Sequence, residues 1–187
     1  FDNGIFCTMD GVGALAEFGY LDLLSKLDIV RICGEHAYKI ADKAAIRNRR
    51  DVINYLRSFG IKCSCEGAKN AAINGHLELV YELRNEGIEY DLEYDTIVSI
   101  LCNGHMNVFQ DLEKYMDDTI LTCSSSDITE WAFKSNNQDL IRYCLFRYGM
   151  LEHAMDTCAA YGHLQILMEL YAHGFRCSVN GINFAIR

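Results

Sequence analysis

The segment AAINGHLELVYELRNEG, from Ala71 to Gly87, returns almost position for position as CAAYGHLQILMELYAHG, from Cys158 to Gly174. Self-similarity of this kind constrains a fold more than composition does, because a repeated segment must build one small unit and pack it on its copies. In both copies Gly-His-Leu is followed by an apolar pair, then by a leucine, then by a closing glycine. A third copy is ILCNGHMNVFQDL, Ile100 to Leu112. Weaker copies fill the gaps. They are LAEFGYLDLLSKL from Leu15, AAIRNRRDVINYLRSFG from Ala44 and AFKSNNQDLIRYCLFRYG from Ala132.

The residue that breaks each unit is Gly19, Asn48, Gly75, Gly104, Asn136 or Gly162, at separations of 29, 27, 29, 32 and 26 residues. Asparagine replaces glycine where a left-handed backbone is needed, so Asn48 and Asn136 are both expected to take one. Each unit reads as two short helices. Ala68 to Asn74 is the first, with Ala71 and Ala72 allowing close approach. Leu77 to Glu86 is the second, with Leu79, Val80 and Leu83 on one face. Helices this short are marginal alone and must be held by their neighbours. A seventh copy begins in NGINFAIR, Asn180 to Arg187. The spacing leaves no room for βαβ alternation.

The chain has no proline in 187 residues, so helix ends fall to glycine, asparagine and polar loops. A net charge of −9 and a pI near 5.1 argue against nucleic acid or an anionic membrane as partner, since both need a basic face. No run of apolar residues reaches the length of a membrane span, and no secretory leader pattern is present. The nine cysteines are odd in number and scattered, which favours reduced thiols in a cytoplasmic or nuclear setting over a disulfide framework.

The block AA-x-x-G-H-L-x-[LIV]-[LIV]-x-x-L-x-x-x-G resembles the ankyrin repeat, over essentially the whole chain from Val12 to Ile186. That resemblance implies an all-α, ankyrin-type helix–turn–helix solenoid. It would be a single array over residues 1–187, with six repeats plus the start of a seventh. The family's Thr-Pro-Leu-His opening is absent; Glu66 to Lys69 and His153 to Asp156 stand in its place. The period near 29 falls short of the family's 33, so short or vestigial β-hairpin fingers are expected. Short, proline-poor repeats of this flavour look like those of ankyrin proteins from large DNA viruses of amoebae, which implies a host-cell or virion setting.

Candidate chemistry dissolves in this register. His76, His105 and His163 hold one place in different units, on layers on the order of 10 Å apart. A shared zinc needs ligands about 2.0–2.3 Å from the metal, so each ring is expected to hydrogen-bond the turn of a neighbouring unit. Cys63 and Cys65 form a Cys-x-Cys without a second pair. Arg47, Arg49 and Arg50 read as a solvated turn or as a contact point for an acidic partner. The acidic run from Glu82 to Asp95 reads as a solvated surface. Ser124 to Ser126 with Asp127 lack a base, and Ser126 or Asp127 is expected to cap the next helix. No catalytic residue, metal site or cofactor is expected. Trp131 is placed in the core.

In the ankyrin family, recognition uses loop tips and the two exposed residues before the turn. By register these are Glu17 and Phe18, Ile46 and Arg47, Ile73 and Asn74, Cys102 and Asn103, Lys134 and Ser135, and Ala160 and Tyr161. Within that set Glu17, Phe18, Arg47, Asn74, Asn103, Lys134 and Tyr161 are the candidate partner-binding residues, because aromatic and arginine anchors suit a protein interface. The expected function is binding of another protein, as an adaptor. The alternative is a scaffold or virion component that assembles with itself, through the ends of its repeats, or with a coat protein.

Overall fold

A computed structural model describes residues 7–90, 93–114, 125–149, 154–179 and 181. The protein is all-helical: among the described residues none lies in a strand. It packs as two compact units, Phe1–Leu92 and Glu93–Arg187. No helix among the described residues is long and apolar enough to cross a membrane. The start of the seventh copy lies outside the described residues, apart from Gly181.

In the first unit α1 (Met9–Phe18) is followed by two short helices, α2 (Leu21–Leu24) and α3 (Ile29–Cys33). Two helix pairs come next, α4 (Tyr38–Ile46) with α5 (Arg50–Ser58), and α6 (Cys65–Ile73) with α7 (Leu77–Asn85). The first helices pack in sequence order, α1 on α4 and α4 on α6. Alanines make this approach possible: Ala41, Ala44, Ala45, Ala71 and Ala72 are all fully buried. On α7, Leu79, Val80 and Leu83 are buried on one face, and each contributes about 1.5–3 kcal/mol.

The second unit contains α8 (Tyr94–Cys102) with α9 (Met106–Glu113), α10 (Ser125–Lys134) with α11 (Gln138–Tyr148), and α12 (Ala154–Tyr161) with α13 (Leu164–Ala172). Here α10 packs against both α8 and α12. Phe109 and Phe133 are fully buried, and Trp131 is 7% exposed with its ring edge-on to Tyr94 at 5.1 Å. Helix α10 begins at Ser125, so Ser126 and Asp127 fall inside its first turn and neither is its cap, contrary to the sequence expectation.

The turn between paired helices is a repeated device. Gly19, Gly75, Gly104 and Gly162 take φ between 74° and 79°, and Asn48 takes 54°. In each case the next amide donates back five residues, as from His76 N to Ala71 O at 2.9 Å and from His163 N to Cys158 O at 2.9 Å. This closure consumes carbonyls that the helix end leaves unpaired. Asn136 departs from the expectation: Asn48 is the one described non-glycine residue with positive φ. Side chains replace the left-handed residue there. Ser135 donates its hydroxyl to Ala132 O and accepts from Asn137 N. Asn137 accepts from the amides of Asp139 and Leu140, capping α11, and donates to Gly104 O at 2.8 Å.

A second device was not anticipated. Helix α6 starts three residues earlier than its alanines implied, because Ser64 caps it and accepts from Glu66 N. The buried carboxylate of Asp42, from α4, accepts from both Ser64 N (2.8 Å) and Ser64 Oγ (2.7 Å). The same arrangement recurs 114 positions later, where Asp156 of α12 accepts from Ser178 N (2.8 Å) and from Ser178 Oγ. A glycine sits three residues after each serine, Gly67 and Gly181, and a Cβ on either would overlap the aspartate. The motif is an aspartate on the first helix of a pair, answered 22 residues later by the serine of Cys-Ser-x-x-Gly.

Second helices are joined by ion pairs. Arg50 reaches Glu78 and Glu82, each at 3.2 Å, and Arg57 pairs with Glu86. Glu82 and Glu86 are therefore bound to the preceding helix pair, which corrects the reading of that run as simply solvated. In the second unit Arg142 holds Glu169 at 2.7 Å, and that pairing lowers the glutamate's pKa below its ordinary value.

Candidate functional site

The first unit gathers three of the candidate residues into one cluster. Arg47 closes α4 and Glu17 and Phe18 close α1, so the packing of α1 on α4 sets them side by side. Arg47 Nε donates to Glu17 Oε1 at 3.1 Å, and its guanidinium lies 4.7 Å from the centre of the Phe18 ring. Phe18 is 49% exposed even so. Arg49 anchors the turn from below, with Nε 3.4 Å from Glu17 O. Of the three clustered arginines Arg50 faces the second-helix ion pairs, so the basic turn is divided between two surfaces.

The other candidates are held more locally. Asn74 folds back on its own helix, Nδ2 donating to Asn70 O at 2.8 Å. In the second unit Asn103 ends α8 and is exposed. Lys134 ends α10 and pairs with Glu130 one turn earlier at 3.5 Å. Tyr161 ends α12, is 44% exposed, and stacks on the His163 ring. Ser135, expected among the exposed pairs, is buried at 2%, because its hydroxyl closes the turn.

Between α4 and α6 lies an open groove of ≈ 700 Å³. Tyr38, Lys39, Asp42, Lys43 and Ile46 form one wall, and Ser64, Cys65, Glu66 and Asn70 form the other. Asp42 faces its own capping partners, and burial raises its carboxyl pKa above the usual range despite the hydrogen bonds from Ser64. The exposed cations Lys39 and Lys43 continue one stripe that ends at Arg47. These lysines were missed in the sequence because register singles out only the residues before each turn. The spacing of 39, 43 and 47, four residues apart on a helix, was the available signal.

Two of the three aligned histidines and the buried cysteines serve the packing of the helices. His76 Nε2 lies 2.9 Å from Ile46 O, and His163 Nε2 lies 2.6 Å from Phe133 O, each carbonyl belonging to the preceding helix pair. The Cys-x-Cys splits, with Cys63 buried and Cys65 exposed. Burial pushes the thiols of Cys63, Cys144 and Cys158 up to about 12, which makes them poor nucleophiles at neutral pH. Among the described residues no three His, Cys, Asp or Glu side chains are placed to hold a metal.

Compared with known families and characterised proteins, the sequence matches no family model and no curated protein.

Proposed function

We propose that this chain is an array of ankyrin-type repeats whose role is to bind another protein rather than to catalyse a reaction. The observation that carries the reading is the cluster of Phe18, Arg47 and Glu17 where the ends of α1 and α4 meet. A half-exposed aromatic ring and an arginine held in place by its own ion pair lose little side-chain freedom on docking, which is what anchor residues require. The repeat reading draws support from the recurring helix pair, the positive-φ turn at matching positions and the histidine that bonds the preceding pair. Repeat arrays recognise partners through first helices and turns, the elements that carry the cluster and line the groove.

The test places a photo-crosslinking side chain at position 18 or 161, and at exposed Asp51 on α5 as the control, in cells that express the protein. One partner is expected from 18 and 161 and not from 51, and Phe18→Ala with Arg47→Ala should weaken its capture at least about tenfold. Equal capture from position 51, or no effect of the alanines, overturns the reading.

One observation favours a self-assembling scaffold. Leu164, Met168 and Tyr171 form an exposed apolar stripe along α13 (66%, 58% and 58%). That reading expects light scattering to show assembly that grows with concentration and disappears in Leu164→Ser/Met168→Ser.

A further inference from the structure

Resting on the protein-binding reading, we infer that the α4–α6 groove takes an extended peptide segment with acidic side chains at alternate positions. Three observations converge. Lys39, Lys43 and Arg47 stand four residues apart, so successive cations advance by about 6 Å along the helix. An extended peptide brings a side chain to the same face every second residue, about 6.6–6.8 Å apart. Alternate carboxylates therefore meet Lys39 and Lys43, the two cations that line the groove, almost in step. Among the described residues no carboxylate is paired with Lys39 or Lys43, although the molecule as a whole carries −9. Arg47 is tied to Glu17, so Lys39 and Lys43 are the unneutralised cations of the stripe on this acidic protein, and they are the pair that selects for charge.

The groove supplies the rest. Asp42 lies between the two lysines, but its carboxylate is turned to Ser64 and does not neutralise them. Tyr38 and Ile46 offer apolar contact on the same wall. Exposed Glu66, on the facing wall, opposes any acidic ligand and sets an upper limit on charge density. That limit separates a peptide from a single-stranded nucleic acid. The nucleic acid is charged at every unit and gains nothing from Tyr38 or Ile46 except by stacking, and it must approach a net-negative surface.

Fluorescence anisotropy on the full chain tests this with a labelled synthetic peptide carrying glutamates at three alternate positions. Three comparisons are a peptide of the same composition with the glutamates consecutive, one with glutamines, and an oligothymidylate. The alternate peptide is expected to bind, to weaken as salt rises, and to exceed the consecutive peptide by about fivefold. Lys39→Glu/Lys43→Glu should reduce its affinity at least about tenfold with an unchanged circular dichroism spectrum, and Glu66→Gln should increase it a few-fold. Equal binding of the consecutive or glutamine peptide, tighter binding of the oligonucleotide, or no effect of Lys39→Glu/Lys43→Glu overturns the inference. If these fail while crosslinking from positions 18 and 161 still captures one partner, the peptide class is wrong and the protein-binding surface stands.

Discussion

Replacing Gly67 with alanine tests the latch between α4 and α6 directly. An ideal Cβ at that position lies 3.1 Å from Asp42 Cγ and 3.0 Å from the Cys63 Cβ, and it overlaps Asp42 Oδ1. Asp42 cannot yield cheaply, since its carboxylate is buried and takes two hydrogen bonds from Ser64. Displacing it forfeits two charge-assisted bonds of about 1.5–3 kcal/mol each. Against this, alanine recovers up to ~1 kcal/mol of helix propensity, and the carboxylate escapes part of a desolvation cost that already raises its pKa. The net loss is about 2 kcal/mol. An internal control exists at Gly11, which follows Cys7-Thr8 in the same pattern at the start of α1. Its added Cβ would meet the tip of the Cys7 side chain at 3.0 Å and no carboxylate. Gly11→Ala is therefore expected to be neutral or to stabilise by about 0.5–1 kcal/mol. In an Asp42→Ala background the cost of Gly67→Ala should vanish, leaving a coupling of about 2 kcal/mol in the double-mutant cycle. Urea unfolding followed by circular dichroism reads the parent and the four variants. Equal effects of Gly67→Ala and Gly11→Ala, or additive effects of Gly67→Ala and Asp42→Ala, would refute the latch.

Asp42 also has a pH signature opposite to that of most carboxylates. Its folded pKa is raised, so the native state holds the proton more tightly, and the associated stability is present in acid and lost as pH rises through the folded value. Asp42→Asn should consequently compare better with the parent at pH 7 than at pH 4 in urea titrations; a gap that does not change with pH contradicts this. His163→Phe leaves the Phe133 carbonyl without its partner in a buried site, and a loss of about 1–3 kcal/mol is expected by denaturation. In the folded protein a maleimide should modify exposed Cys65 first, while Cys63, Cys144 and Cys158 react only after urea is added, as peptide mass mapping will show.

Legibility followed dimension. Features that repeat along one axis were readable from the sequence: the paired helices, the apolar triplet Leu79, Val80 and Leu83, and the positive-φ turns at Gly19, Asn48, Gly75, Gly104 and Gly162. Each is decided inside a single unit by backbone geometry or helical spacing. Asn136 shows where that logic stops. Asparagine can close a helix through its own left-handed backbone, as at Asn48, or leave the task to neighbouring side chains. Ser135 and Asn137 decide for the second route, and Asn137 does so through the Gly104 carbonyl of the preceding helix pair.

The candidate surface divides in the same way. Register correctly located the helix ends that carry Phe18, Arg47 and Tyr161, yet no pattern within one helix pair says that Arg47 will lie over Phe18 and bind Glu17, because those contacts join α4 to α1. The aspartate latch was hidden for that reason too. Asp42 and Asp156 look like ordinary helix residues, and Ser64 and Ser178 like ordinary caps, until each aspartate is set beside the segment that follows its helix pair. Three segments carry a cysteine, a serine or threonine, and a glycine at the same offsets, starting at Cys7, Cys63 and Cys177. For the two that follow an aspartate at the 22-residue offset the glycine is sterically required, whereas at Gly11 it is not. Such a chain is therefore best read with the junction between successive helix pairs as the element of comparison, since that is where Asp42, Asp156, His76, His163 and Arg47 make their contacts.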